Sequence, residues 1–161
     1  MNAIAELSEA TSPALVFPDL RGADGDAVLG EIARGFAASL EGVEAEDVRR
    51  GFVEREELGT TALGSGLAIP HCKLDGLSRP RLAIGVHRRG VEFGAPDGAP
   101  IRLFLAVVSP VSAPGSHLLV LASIARWART PGRVDAMVSA RDAASMLGLL
   151  APDVGSGTAL P

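Results

Sequence analysis

Hydrophobic positions in the first part of the chain follow the spacing of amphipathic helices. Apolar residues from Val28 to Leu40 recur at intervals of three and four, which predicts a helix with Asp24 or Asp26 as its N-cap. A second helical pattern covers Glu44 to Leu58, and Gly59 is placed to act as its C′ glycine. Each helix therefore has one apolar face with which to cover a sheet.

Shorter apolar runs predict the strands. Ala14 to Phe17 is typical of a short strand ended by Pro18, and Leu67 to Ile69 is an apolar segment that follows a glycine-rich loop. Arg81 to Val86 and Ile101 to Val108 are β-like, and the second is nearly all apolar. Such a run is expected of a strand that is covered on both faces.

The last third of the chain returns to helical spacing. His117 to Ala128 is predicted to be a helix, with Ser116 as a cap. Pro131 opens a further short helix, and Arg141 to Leu150 is the last one. The apolar residues assigned to the inner side of the His117 helix are Leu118, Leu121, Ala122 and Ala125. The order of elements predicts an α/β fold with a mixed β-sheet sandwiched by helices.

The domain organisation follows from where these patterns begin and end. Residues 1–12 are predicted to be a loose N-terminal segment, residues 13–150 a single domain, and residues 151–161 a disordered tail. With 161 residues the chain is long enough to bury a core without disulfides or metals.

Composition and charge exclude several classes of function. A net charge of −4 and 4% aromatic residues make nucleic acid an unlikely partner. The apolar run Leu103 to Val108 is too short to cross a bilayer, and residues 1–10 lack a signal-peptide pattern. The protein is therefore expected to be cytoplasmic, without membrane insertion.

Scarce reactive groups limit the chemistry further. The single cysteine, Cys72, cannot form an internal disulfide, and it is adjacent to His71 rather than at a regular metal-ligand spacing from His87 or His117. Gly64-Ser65-Gly66 lacks the flanking residues of a nucleophile elbow or a phosphate loop. We expect no metal and no cofactor.

The most specific pattern combines Glu56 with a run that begins after six further residues, Leu63-Gly-Ser-Gly-Leu-Ala-Ile-Pro-His-Cys72. It resembles the phosphohistidine-site signature of enzyme IIA proteins of the bacterial phosphoenolpyruvate-dependent phosphotransferase system, of the fructose/mannitol and nitrogen-regulatory type. The resemblance extends from about Val28 to Leu150. The family often has Gly where this chain has Ala62, and Gly or Ala at Cys72; these departures concern loop conformation, not the reacting groups.

The resemblance implies roles for three residues. His71 would be the phosphorylated histidine, His117 the second histidine of the site, and Arg55 the nearby arginine that clamps charge. Without the resemblance, each residue has an ordinary interpretation. His71 would be a solvated histidine in a loop, His117 a residue at the start of a helix, and Arg55 a residue on a solvated helix face. His87 is expected to be structural or solvated, and Cys72 a small packing residue with a mildly reactive thiol.

The implied roles agree with the chemistry of phosphoryl transfer, which needs positioning and charge stabilisation more than covalent help. A neutral imidazole is the nucleophile, and its ordinary pKa near 6.5 leaves it largely unprotonated near neutral pH. His117 would add a donor beside the free amides of a helix start. The glycines at 64 and 66 would let the backbone approach the phosphoryl group or a docking partner.

By resemblance, the protein is predicted to be a phosphoryl carrier that takes its group from an HPr-like phosphocarrier protein, with the nitrogen-regulatory branch favoured. One alternative is a sugar-specific IIA that passes the group to a fructose- or mannitol-type IIB. A second alternative is a docking-only module that regulates a partner without catalysis. The expected downstream partner is accordingly either a IIB protein or a regulated target.

Overall fold

A six-stranded mixed sheet forms the centre of the fold in the computed structural model, which describes residues 3–150 and their side chains from residue 7 onward. The strands are β1 (Val16–Phe17), β2 (Ala62–Gly64), β3 (Leu67–Ala68), β4 (His71–Leu74), β5 (Arg81–Val91) and β6 (Ile101–Pro110). Strand β6 is central. Strand β5 pairs antiparallel with one of its edges, and β3 and β4 both pair in parallel with its second edge, β3 near the start of β6 and β4 near its end. At the two edges, β1 runs parallel to β5, and β2 runs antiparallel to β3.

Helices cover both faces of this sheet. They are α1 (Ala3–Ala10), α2 (Gly25–Ser39), α3 (Ala45–Glu57), α4 (Pro114–Ala128), α5 (Arg133–Ser139) and α6 (Ala143–Gly148), with a short 3-10 turn over Pro13–Leu15. One core lies between the sheet and α2 with α3, around Phe36, Phe52 and Phe104. The other lies between the sheet and the remaining helices, around Trp127 and Leu105. The predicted fold class, a mixed sheet sandwiched by helices, is confirmed.

Several local predictions hold closely. Of the two N-cap candidates for α2, Asp24 is the cap, and its side chain accepts a hydrogen bond from the amide of Ala27 at 2.9 Å. Helix α3 ends before Gly59, whose φ of +144° suits a residue without a side chain. The strand predicted over Ala14 to Phe17 is present as its last two residues only, Val16–Phe17.

Other local predictions differ from the structure. Residues 3–10 form α1 rather than a loose segment, because Leu7 and Ala10 are buried against the α4 side of the molecule. Helix α4 begins at Pro114, and its N-cap is Ala113 rather than Ser116, whose hydroxyl donates instead to the Ala113 carbonyl.

The inner face of α4 is only partly the predicted one: Leu121 packs against the core and Ala125 is half-buried. Leu118 is 66% exposed and Ala122 is also exposed, whereas the residues that point inward are His117, Val120, Ser123, Ile124 and Trp127. The helix is apolar on nearly every side, so the spacing of its apolar residues could not identify the buried stripe.

The glycine-rich segment is also more regular than predicted. It forms the hairpin of β2 and β3, which turns at Ser65 and Gly66, both with positive φ. Asp97 accepts a hydrogen bond from the Ser65 amide at 2.9 Å and so ties this turn to the loop before β6. The predicted tail, residues 151–161, lies outside the described residues. Within the described part of the chain, no helix is both long and apolar enough to cross a membrane.

Candidate functional site

Strand β4, which the sequence pattern did not predict, directs His71 toward the α4 face of the sheet. Successive side chains of a strand point to opposite faces, so Cys72 packs toward α3 while His71 and Lys73 face the other way. In the parallel register with β6, His71 lies opposite Val107, and Lys73 lies opposite Ser109.

The ring of His71 is held through its Nδ1 atom. Nδ1 lies 2.6 Å from the carbonyl oxygen of Ile69. A carbonyl can only accept a hydrogen bond, so Nδ1 carries the proton and Nε2 carries the lone pair. The proline between the two residues restricts Ile69 to an extended conformation and fixes its own φ, which holds this carbonyl in place. The free lone pair is therefore on Nε2.

Arg55 contacts that same nitrogen. From the last turn of α3, its Nε donates to Nε2 of His71 at 3.2 Å, and its Nη1 donates to the carbonyl of Gly59 at 2.9 Å. The neighbouring Glu56 accepts hydrogen bonds from the backbone amide and the hydroxyl of Thr61. The end of α3 is thus fixed to the segment that leads into the β2–β3 hairpin.

His117 approaches from the opposite layer. It is the fourth residue of α4 and is 5% exposed. Its ring centroid lies 5.4 Å from that of His71, with 51° between the ring planes. Its Nδ1 lies 2.7 Å from the hydroxyl of Ser109 on β6. The three residues singled out in the sequence, His71, His117 and Arg55, are therefore brought together from three separate elements.

The surroundings keep both rings neutral. Burial lowers the pKa of His71 below its ordinary value, and the Arg55 charge adds to this, while the bond to Ile69 and the charge of Glu56 act in the opposite direction. For His117, burial first, then repulsion from His71 in its protonated form and from Lys73, lower the pKa to about 4. At neutral pH each ring therefore has one protonated and one bare nitrogen.

Comparisons with known proteins show the family of the chain. Residues 9–152 match the family model described as "Phosphoenolpyruvate-dependent sugar phosphotransferase system, EIIA 2". The chain belongs to this EIIA family.

Relatives and solved structures of the family support the assignment. A nitrogen regulatory protein of Pseudomonas aeruginosa is 35% identical over 74% of this chain and 77% of its own length. Another, of Bradyrhizobium diazoefficiens, is 33% identical over 90% of this chain and 94% of its own. The crystal structure of the nitrogen regulatory protein IIA-Ntr from Neisseria meningitidis superposes with a TM-score of 0.84 at 26% identity, over 91% of this chain and 99% of that one. The family predicted from the His71 signature is confirmed.

Exposed apolar side chains lie close, along the chain, to the elements that hold the site of this EIIA domain. Within the described residues, the large apolar side chains that are most exposed are Leu58, Leu63, Val111, Leu118 and Leu119. Each lies on or next to an element that borders the two histidines: the end of α3, the β2–β3 hairpin, the end of β6 and the start of α4. Large apolar side chains that remain exposed on a folded domain are typical of a protein docking surface. We call these five residues the apolar rim.

The remaining reactive groups are structural. His87 is 8% exposed; its Nε2 donates to the carbonyl of Gly22 at 2.8 Å, and its Nδ1 accepts from the amide of Gly90 at 3.0 Å. Burial raises the pKa of the Cys72 thiol to about 12, so it is not the mildly reactive group expected from the sequence. Within the described residues, no three His, Cys, Asp or Glu side chains converge as a metal site would require.

Sequence reasoning missed three groups of the site. The Ile69 carbonyl belongs to the backbone and leaves no signal in residue type. Lys73 was passed over because β4 was not predicted. Ser109 did leave a signal, since it is a polar residue near the end of the apolar run that forms β6.

Proposed function

We propose that this EIIA protein accepts a phosphoryl group on Nε2 of His71 from the phosphohistidine of an HPr-like phosphocarrier protein. The observation that carries the proposal is the pair of contacts on the His71 ring. The Ile69 carbonyl occupies Nδ1, and the bare Nε2 faces the guanidinium of Arg55. A nitrogen with a lone pair beside a fixed cation is what an incoming phosphoryl group requires.

The transfer is a direct exchange between two nitrogens. The bond from phosphorus to Nε2 of His71 forms as the bond from phosphorus to the donor nitrogen breaks, and the donor nitrogen keeps that electron pair. The proton on Nδ1 of His71 stays in its bond with the Ile69 carbonyl. No proton has to move to an external base, so the protein contributes position and charge.

Charge stabilisation comes from three directions. The Nε–H of Arg55, which bonds His71 Nε2 in the free protein, is placed to turn to a phosphoryl oxygen. Helix α4 starts at Pro114, and the amides of Gly115 and Ser116 in its first turn have no partner within the helix, so its positive end lies next to His117 in the chain. His117 adds a second ring, whose centroid is 5.4 Å from that of His71.

The nitrogen-regulatory branch is the better supported one. Two relatives with long coverage are nitrogen regulatory proteins. In this interpretation the phosphorylation state acts on a regulated partner that docks on the apolar rim. The description of the family model names a sugar phosphotransferase system. The second candidate is therefore a sugar-specific IIA that passes the group to a fructose- or mannitol-type IIB protein.

Phosphorylation with purified components tests the proposal. The protein is incubated with labelled phosphoenolpyruvate and the two general phosphotransferase proteins. Acid-labile label is expected in the wild type and is expected to be absent from His71→Ala, which retains His87 and His117 as internal controls. A wild type that takes no label would favour a docking-only module.

A second incubation separates the two branches. Phosphorylated protein is mixed with a fructose- or mannitol-type IIB protein. Rapid loss of label to IIB would assign the protein to the sugar-specific branch. Retention of the label is expected for a regulatory member.

A further inference from the structure

Ser109 is a buried hydroxyl that the proposed transfer leaves without a role. It has no exposed surface, and its neighbours along β6 are the apolar residues Val108 and Pro110. Its Oγ is 2.7 Å from Nδ1 of His117. Burial of a hydroxyl is unfavourable unless it forms a hydrogen bond, so this contact satisfies both partners.

The two histidines of the site have partners of different chemistry at the same ring position. Nδ1 of His71 faces a carbonyl, which can only accept and so holds the proton on Nδ1. Nδ1 of His117 faces a hydroxyl, which can donate. A hydroxyl therefore permits the opposite tautomer, in which Nδ1 is bare and Nε2 carries the proton.

Only that opposite tautomer is useful beside a phosphoryl group. Burial keeps His117 neutral, so just one of its nitrogens has a proton. If the proton were on Nδ1, Nε2 would turn a lone pair toward the anionic oxygens and repel them. With the proton on Nε2, the ring donates a hydrogen bond to the same oxygens.

We propose that Ser109 is a positioning residue for phosphoryl transfer: its hydroxyl donates to Nδ1 of His117 and keeps the ring proton on Nε2, where it serves the phosphoryl group on His71. The proposal rests on the proposed function of His71. No covalent bond forms or breaks at Ser109 or at His117. The two neighbouring rings thus have opposite tautomers, one for a nucleophile and one for a donor.

The tautomer of His117 is measured directly by nitrogen-15 NMR of the ring in the full chain without phosphoryl donor. The expected wild-type spectrum has a protonated Nε2 and a bare Nδ1 at His117, and the reverse pattern at His71. In Ser109→Ala we expect the His117 signals to shift toward a mixture of tautomers, while His71 is unchanged. A wild-type His117 that carries its proton on Nδ1 would overturn the proposal.

Transfer rates test whether the tautomer matters. Ser109→Ala is expected to slow phosphorylation of His71 by about five- to tenfold, the range for one lost hydrogen bond, and Ser109→Thr, which keeps the hydroxyl, to restore most of the rate. In a His117→Gln background, Ser109→Ala should have no further effect, because Ser109 acts only through His117. Equal slowing in both backgrounds would show a purely structural role and overturn the proposal.

Different experiments would refute the proposed function and this inference. If the wild type takes no label on His71, the carrier function is refuted by the labelling experiment alone. The NMR spectrum still decides the tautomer of His117, since it needs no phosphoryl donor. Unfolding in urea, measured for each variant, establishes that the compared proteins are folded.

Discussion

Helix α3 approaches strand β4 directly behind His71, and the contact is made by Gly51 and Cys72. A Cβ atom added to Gly51 would lie 2.8 Å from both Cβ and Sγ of Cys72, whereas ordinary contact begins at 3.4 Å. At Gly30 of α2, the nearest atoms to an added Cβ are at 3.5 Å and 3.9 Å. The two helical glycines therefore form a matched pair, one without space for a methyl group and one with it.

The magnitudes follow from this difference. Gly→Ala in a helix interior stabilises by about 1 kcal/mol through backbone entropy, and this gain should appear in Gly30→Ala. In Gly51→Ala the overpacking cost of about 1–3 kcal/mol opposes the gain, so we expect a net destabilisation of about 1 kcal/mol. In a Cys72→Gly background both contact atoms are gone. The same substitution at Gly51 should then stabilise by about 1 kcal/mol, a change of sign.

Urea unfolding followed by the fluorescence of Trp127, the single tryptophan and 1% exposed, measures these effects. Cys72→Ala is the control background, because it keeps the Cβ atom at 2.8 Å and should leave Gly51→Ala destabilising. Two results would refute the proposed contact. One is that the changes in the free energy of unfolding caused by Gly51→Ala and Cys72→Gly are additive in the double variant; the other is that Gly51→Ala alone is stabilising. Arg55 lies one helical turn after Gly51. The phosphorylation rate should therefore fall in Gly51→Ala and recover when Cys72→Gly is added, in parallel with stability.

Three further predictions concern the site and the core. Arg55→Lys keeps the charge but loses the Nε–H that reaches His71, and should slow phosphorylation by about 10- to 100-fold in a rapid-quench assay, whereas an unchanged rate would remove Arg55 from the site. Because the pKa of His117 is about 4 in the folded protein and 6.5 when exposed, its neutral form contributes stability above pH 6.5 that is lost as the pH falls toward 4. Between pH 7 and pH 5, the free energy of unfolding of His117→Gln should therefore fall by about 1 kcal/mol less than that of the wild type, once solvent screening is allowed for. Parallel profiles of unfolding free energy against pH for the two proteins would contradict this. Trp127→Phe removes the indole hydrogen bond to the carbonyl of Leu149 at 3.0 Å and should lower the free energy of unfolding by about 2 kcal/mol, measured in urea by circular dichroism because the fluorescent probe is lost; an unchanged midpoint would contradict this.

The fold was predictable where local spacing and burial agree. The helices α2 and α3 have a polar face and an apolar face, and their bounds follow from Asp24 and Gly59. Strand β4 is four residues long and contains His71 and Lys73, so neither its length nor its composition identifies it. It is a strand because β6 offers a free parallel edge at Val107–Pro110, which is a tertiary property.

The site was predictable only through its signature. Arg55, His71 and His117 are far apart in the chain, and no spacing between them predicts that they lie close together in the fold. Only the resemblance to the family indicated that they meet. What the sequence could not give is the direction of each ring. The Ile69 carbonyl fixes the proton on Nδ1 of His71, and by our proposal the Ser109 hydroxyl fixes it on Nε2 of His117; both contacts depend on the register of β4 against β6.

The three histidines of the chain show how hydrogen-bond partners alone separate chemical roles. At His87 both ring nitrogens are occupied by backbone groups, the carbonyl of Gly22 and the amide of Gly90, so no nitrogen is left for a reaction. At His71 one nitrogen is fixed by a carbonyl, and the other accepts only from the side chain of Arg55, which can turn to an incoming group; this suits a nucleophile. At His117 a hydroxyl permits the inverse arrangement, a bare nitrogen within the core and a protonated one toward its neighbour. Burial keeps the His71 and His117 rings neutral. By our proposals, the difference between nucleophile and donor then comes from the partner of each Nδ1, a carbonyl that accepts at His71 and a hydroxyl that donates at His117.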